Sequence, residues 1–253
     1  MKTKILAHRG SHLSRGAGEN VFAPENTLEA FRLGIEQGAD GIELDVHLSK
    51  DGEVMVFHDL TLERMTGEPG RICDFTAEEL KRLDFPIPTL DEVYGLINGL
   101  SITRNRPFTV NVELKTTEEV YPSLPAKLLD LQDRIGPSKI IYSSFNHYSL
   151  MDIRRIDPCA YIGLLYNLPL VDPYIYAQRL GANAIHPPWQ IIAALPNTVD
   201  DCHTLGIEVN VWTVNDEAYI RKMLACGVDT VITDKPDVAV AQLNHCGCMQ
   251  NWL

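Results

Sequence analysis

Two segments of this chain carry charged side chains at a spacing of two inside otherwise apolar runs. Residues 41–46 read GIELDV, which puts Glu43 and Asp45 on one side of an extended segment and Ile42 and Leu44 on the other. Residues 109–115 read TVNVELK and set Asn111, Glu113 and Lys115 against Val110, Val112 and Leu114. Carboxylates facing a closed interior are very costly unless something compensates their charge. Three carboxyl groups with open water positions suit one hard divalent cation, Mg²⁺ or Ca²⁺. Glu43, Asp45 and Glu113 are therefore the candidate metal ligands, with Lys115 an inward cation beside them. A plain Glu113–Lys115 ion pair is the rival explanation for the second segment taken alone.

Two histidines follow short apolar runs, His8 in His8-Arg9-Gly10 and His58 in His58-Asp59. Imidazole titrates near neutrality, so a pair brought to one mouth could serve as general acid and base. Either one alone would read as an ordinary core or loop histidine. Trp212 shares a face with Asn210 and could wall a substrate's carbon chain, though a core tryptophan would look the same. No dinucleotide-binding glycine fingerprint, Walker P-loop or GxSxG elbow is present. Metal, paired imidazoles and cations suit hydrolysis of a phosphate ester.

These residues need a scaffold that gathers strand ends. Runs at 5–8, 41–46, 109–115, 140–145, 161–166, 184–187, 208–214 and 230–233 are predicted strands. Helical patterns lie between them at 27–37, 90–97, 124–135, 148–156, 173–180, 199–205, 216–225 and 236–244. Thr76–Glu79 and Thr89–Glu92 are capping boxes. Gly38, Gly136, Gly181, Gly206 and Gly227 sit where left-handed residues would end helices. Eight strand–helix units predict an α/β fold, a (β/α)₈ TIM barrel, whose chemistry belongs at the C-terminal strand ends. Asp51-Gly52 followed by Val54–Phe57 predicts a hairpin. A single domain over 1–253 is expected, with an insertion at about 47–88.

The chain has 253 residues, 45% apolar and 22% charged, which excludes a disordered or low-complexity protein. No apolar run is long enough to cross a membrane. With 22 basic against 34 acidic residues, the net charge of −12 argues against nucleic acid or an anionic membrane as partner. An anionic substrate must be met locally. No signal-peptide pattern opens the chain, so a cytoplasmic location is expected. The six cysteines are expected as free thiols. Cys246-Gly-Cys248 beside His245 lacks the paired spacing of a zinc site.

The combined pattern resembles the glycerophosphodiester phosphodiesterase family. The matching pieces are His8-Arg9-Gly10, Ala23-Pro24-Glu25-Asn26-Thr27, Glu43-Leu44-Asp45, His58-Asp59, Glu113-Leu114-Lys115, Ser144-Phe145, Trp212-Thr213-Val214-Asn215 and Thr233-Asp234. None is specific alone, but they occur in family order across most of the chain. The resemblance implies a TIM barrel with a small insertion after the second strand that carries the second histidine. It implies Glu43, Asp45 and Glu113 as metal ligands, His8 and His58 as catalytic, and Arg9 and Lys115 on phosphate. It also implies hydrolysis of deacylated phospholipids to sn-glycerol 3-phosphate and an alcohol. Residues 11–23 are longer than the family's usual link and could reshape the alcohol-side pocket; His12 and Arg15 in it are expected to be solvated.

Three other readings remain open at this level. A phospholipase D-like enzyme for lysolipids would call for an apolar mouth, and residues 60–85 hold no dense apolar cluster, so soluble small-molecule substrates and no stable membrane association are expected. An aldolase-type barrel would use Lys115 as a Schiff-base nucleophile and would not need three acids. A non-catalytic barrel could bind phosphodiesters without cleaving them. A monomer and a homodimer are equally compatible with the sequence.

Overall fold

Runs such as GIELDVHL and TVNVEL alternate apolar and polar residues, KILAH is a continuous apolar run between polar ends, and each forms a strand buried over most of its length. The computed structural model describes residues 2–13 and 23–250, with side chains to His245. In chain order the first elements are β1 (Lys4–His8), α1 (Leu28–Glu36), β2 (Gly41–Leu48) and β3 (Val54–Val56). The insertion continues with α2 (Glu63–Thr66), a 3₁₀ turn (Ile72–Asp74) and α3 (Ala77–Leu80). Then come α4 (Leu90–Arg104), β4 (Thr109–Leu114), α5 (Leu124–Ile135), β5 (Lys139–Ser144), α6 (His147–Ile156) and β6 (Ile162–Leu165). The chain closes with α7 (Pro173–Leu180), β7 (Ala184–His186), α8 (Trp189–Ala194), α9 (Asn197–Thr204), β8 (Glu208–Val211), α10 (Glu217–Ala225), β9 (Thr230–Thr233) and α11 (Pro236–Gln250).

Eight parallel strands run β1-β2-β4-β5-β6-β7-β8-β9 and return to β1, so the sheet closes on itself. It is a TIM barrel. β3 pairs antiparallel with the far end of β2, as the Asp51-Gly52 turn predicts, with Gly52 at φ +83°. Thr76 and Thr89 cap α3 and α4 in reciprocal boxes with Glu79 and Glu92. Four of the five helix-ending glycines are left-handed; Gly136 is not, leaving α5 extended at φ −60°. What constrains it is room, since an added Cβ would lie 2.6 Å from the Gln132 carbonyl oxygen. The sequence pattern misses α8, a short apolar run that periodicity cannot separate from a strand.

The insertion has a small core of its own, built on Met55, Phe57, Leu62, Ile72, Leu80 and Phe85. Its apolar side chains are thus consumed inward. Among the described residues no helix is long and apolar enough to cross a membrane. Cys73, Cys159, Cys202 and Cys226 are free thiols; the side chains of Cys246 and Cys248 lie outside the described residues.

Two buried histidines should make the fold acid-sensitive. Burial pushes His186 down to about 3 and His47 down to about 4, from an ordinary 6.5. The unfolded chain therefore binds more protons than the folded one below pH 6.5, and stability falls as pH drops from there towards 4. A tenfold change in proton affinity is worth roughly 1.4 kcal/mol, so the two together supply on the order of a few kcal/mol at neutral pH. The His186→Gln variant should lose part of that pH dependence. Melting temperatures of both proteins between pH 4 and 7 check it; parallel curves would show that His186 makes no such contribution.

Candidate active site

Strand register assembles the acids. β2 and β4 pair with Asp45 opposite Glu113 and Glu43 opposite Asn111, while β1 pairs with β2 so that His8 is opposite Glu43. Since side chains two apart share a face, all of these point into the barrel at its C-terminal mouth. Glu43, Asp45 and Glu113 are buried, and one carboxylate oxygen from each lies within 4.8 Å of the others.

Charge explains how this cluster survives burial. Lys115 Nζ donates to Glu113 at 2.9 Å and lies 3.6 Å from Asp45, whose other oxygen faces Arg9 Nε at 3.4 Å. The ion pair anticipated for Glu113 and Lys115 is therefore part of the acid cluster, not an alternative to it. Burial by itself would raise all three acids. At Asp45 the charges of Arg9, Lys115 and His58 outweigh burial and hold the carboxyl well below its usual range. Glu43 has no such surplus: burial and the neighbouring Asp45 push it up to about 8. Three carboxylates face two cations, and burial holds both Glu43 and Glu113 above their ordinary range, with Lys115 opposing the rise at Glu113.

That surplus is what a divalent cation would satisfy. The donors are hard oxygens, they converge, and Asn111 Oδ1 is buried with no hydrogen-bond partner beside them. The residues present fit Mg²⁺ or Ca²⁺.

Both histidines line the same cavity of about 100 Å³, together with Arg9, Glu43, Glu113, Lys115, Phe145 and Trp212. Each imidazole is held from behind by a carboxylate. His8 Nδ1 meets Asp234 Oδ1 at 2.6 Å, and His58 Nδ1 meets Asp59 Oδ1 at 2.5 Å. A proton on each Nδ1 leaves Nε2 as the exchangeable nitrogen. In His8 that atom is 3.9 Å from Glu43 Oε2. Trp212 stands just past β8, bridged to Pro188; its Nε1 donates to the His186 carbonyl at 2.7 Å and its ring meets Phe145 edge-on at 5.6 Å. The two rings form the cavity's apolar wall.

The backbone bends to build this mouth. Arg9 sits at φ +52°, a conformation unusual for a residue with a Cβ, and its N–H donates to Glu43 at 3.0 Å. Gly10 follows at φ +82°, where a Cβ would come within 2.5 Å of the Ala30 backbone.

Several supporting residues carry no sequence signal of their own. Asn26 Nδ2 donates to Asp45 at 2.9 Å, and Glu25 accepts from Arg9 Nη1 at 3.0 Å. Arg64 of α2 donates to both Glu25 and Asp59, tying the insertion to the first loop and to His58's partner. Asn215 Nδ2 donates to Asp234 Oδ2 at 2.5 Å. The Pro-Glu-Asn, Trp-Thr-Val-Asn and Thr-Asp signatures contain several of these residues, but only the fold supplies their roles. His12 corrects an expectation: it is not solvated but packs with Nε2 3.6 Å from Asp234 and its ring 6.3 Å from His8. Arg15 lies outside the described residues.

Asp234 is not among the residues lining the cavity and touches it through His8, so any effect on the chemistry would be exerted by positioning that ring. An Asp234→Asn substitution should lower kcat on a phosphodiester by about 10²-fold, with KM little changed. The limb of the pH–rate profile belonging to His8 should move down, because a neutral amide no longer supports an imidazolium. An unmoved profile would reduce Asp234 to a structural role.

A model of the glycerophosphoryl diester phosphodiesterase family matches residues 8–238. The glycerophosphodiester phosphodiesterase of Caldanaerobacter subterraneus subsp. tengcongensis is 40% identical over 252 residues, covering 95% of this chain and 97% of that one. Among solved structures, a phosphodiesterase of Oleispira antarctica in complex with the product sn-glycerol-3-phosphate is 27% identical, with a TM-score of 0.83 over 95% of this chain and 96% of that one. A glycerophosphodiester phosphodiesterase of Thermotoga maritima is 30% identical, with a TM-score of 0.76 over 95% and 98% of the two chains.

Proposed function

Because the chain belongs to the glycerophosphoryl diester phosphodiesterase family, and is by that membership a phosphodiester hydrolase, we propose that it cleaves glycerophosphodiesters to sn-glycerol 3-phosphate and an alcohol, as a single cytoplasmic barrel domain acting on small molecules. The observation that carries this reading is the meeting of three converging carboxylates and two carboxylate-held imidazoles at one cavity. It is supported by the Oleispira relative, which holds that product.

Glu43, Asp45 and Glu113 would hold one divalent cation. When bound, that ion supplies positive charge to a phosphoryl oxygen as negative charge grows there. Arg9 presents a planar fork suited to phosphate, and Lys115 adds a point charge. One of His8 and His58 takes the proton of the attacking hydroxyl, from water or from the substrate's own 2-hydroxyl. The other gives a proton to the departing alkoxide. Asp59 and Asp234 keep the two rings oriented and support the imidazolium when it forms. Trp212 and Phe145 lie where the glycerol carbons would pack.

The test is release of glycerol 3-phosphate from glycerophosphocholine. Chelation should abolish it, and Mg²⁺ or Ca²⁺ should restore it. Full activity in excess chelator would dismiss the cation, and no turnover across a panel of glycerophosphodiesters with either metal would dismiss the assignment.

A further inference from the structure

The two imidazoles at the cavity are held in place differently. His8 ends β1, and the ladders to β2 and β9 fix its main chain. His58 stands two residues past the end of β3, beyond the antiparallel ladder. The Phe57 N–H still reaches the Asp45 carbonyl at 3.0 Å, but the next tie back to β2 comes from a side chain. His47 Nε2 lies 3.2 Å from the His58 carbonyl oxygen. A carbonyl can only accept, so Nε2 carries the hydrogen. In the neutral ring Nδ1 then has the lone pair, and the Tyr121 hydroxyl donates to it at 3.1 Å. Tyr121, in the link between β4 and α5, also packs against the ring nearly at right angles, with centroids 5.9 Å apart.

Alternation along β2 puts His47 on the same face as Glu43 and Asp45, at the position opposite Met55 of β3. It is 2% exposed and is not among the residues lining the catalytic cavity. With His58, Asp59, Thr61 and Lys115 it lines a neighbouring polar pocket of about 290 Å³. An apolar side chain could fill this place without the cost of burying an imidazole. What an apolar side chain could not do is hold the His58 carbonyl. Asp59 grips the His58 ring at Nδ1 and so fixes how it is turned. His47 grips the main chain behind it and so fixes where that ring stands.

We propose that His47, oriented by Tyr121, is a positioning residue for the hydrolysis: its Nε2–H holds the His58 carbonyl and thereby sets the reach of the His58 imidazole into the cavity. The proposal rests on the phosphodiesterase reading above and adds to it a residue that touches neither the phosphate nor the cation.

The test uses the protein at saturating Mg²⁺ or Ca²⁺, with glycerophosphocholine and glycerophosphoglycerol as substrates. His47→Leu should lower kcat about tenfold to a hundredfold, the scale of a small misplacement of a reacting group. KM should stay within about twofold, and the loss should be the same for both substrates. Glutamine can place an amide N–H near the position of Nε2, so His47→Gln should keep kcat within about threefold of the wild type. In a His58→Ala background the His47→Leu substitution should cost almost nothing more, because the group it positions is gone. If the leucine variant does not fold, His47→Asn replaces it: that amide is too short to reach the carbonyl, and its loss should match the one expected for leucine.

Full turnover in the leucine or asparagine variant would overturn the role. A glutamine variant as poor as the leucine one would make the ring's shape, not its N–H, the requirement and overturn the proposal. So would an undiminished loss in the His58→Ala background. A loss that differs between the two substrates would make His47 a head-group contact, and one cured by further metal would place its effect on Asp45; either overturns the positioning of His58. A wild type inactive on every glycerophosphodiester would dismiss the phosphodiesterase reading and this role together, whereas the other outcomes spare that reading.

Discussion

Glu43→Gln should remove turnover, by about 10³-fold or more, while leaving the metal-free protein as stable as the wild type or slightly more so. The first half follows from the loss of one of three convergent carboxylates in a site whose cation is expected to supply several kcal/mol of transition-state charge stabilisation. The second follows from burial and Asp45, which push Glu43 up to about 8. In the metal-free protein at pH 7 this side chain is mostly protonated, and glutamine is its near-isostere. The sign of the pH dependence is fixed by the same fact. The unfolded carboxyl loses its proton near 4.5 and the folded one near 8, so the folded state binds more protons between these values. Metal-free wild type therefore loses stability as pH rises through that window, and Glu43→Gln should flatten the loss. Metal uptake at pH 7 should release about one proton, measurable by calorimetry in buffers of different ionisation enthalpy. Near-wild-type turnover in the variant, or a marked fall in its melting temperature in chelator, would make Glu43 a structural acid instead.

His8→Ala and His58→Ala should each lower kcat by roughly 10²–10⁴-fold, the usual contribution of a positioned acid or base. Neither ring supports the core: both line the cavity, and each is anchored through Nδ1 by a carboxylate. Melting temperatures should therefore move little. The two variants can also be told apart. On a diester whose leaving group is a nitrophenol, departure needs no proton, so the variant lacking the general acid should recover much of its rate. The variant lacking the base should not. Near-normal turnover in either would withdraw that residue from the mechanism, and equal recovery in both would mean that the roles are not divided in this way.

Much of this site can be read along the chain because its chemistry is written on strands. Alternation in GIELDV and TVNVELK points Glu43, Asp45 and Glu113 inward, and neighbouring strands in register then bring Asp45 and Glu113 side by side. The hairpin carrying His58 announces itself through Asp51-Gly52. What stays hidden is the support behind the reacting groups. Asp234 reaches His8 across 226 positions of sequence, and Arg64 joins Glu25 across 39, so no local periodicity can register either contact. His12 reads as solvated because loop residues usually are; the packing of Asp234 against the same corner draws it in. Exposed apolar side chains do not lie in the loop where composition would look for them. The insertion's leucines and phenylalanines face their own core, and the exposed aliphatic side chains lie elsewhere, among them Leu168 and Val171 in the link after β6, which carries no motif.

The first and last strands of the barrel are neighbours, and the imidazole on one is gripped by the carboxylate just past the end of the other. On a ribosome, which delivers a protein from its amino end, His8 emerges long before Asp234. A chain that stops short of β9 carries the three converging acids and both histidines but lacks the carboxylate that holds the His8 ring. Closing the ring of strands is what completes the support behind that imidazole.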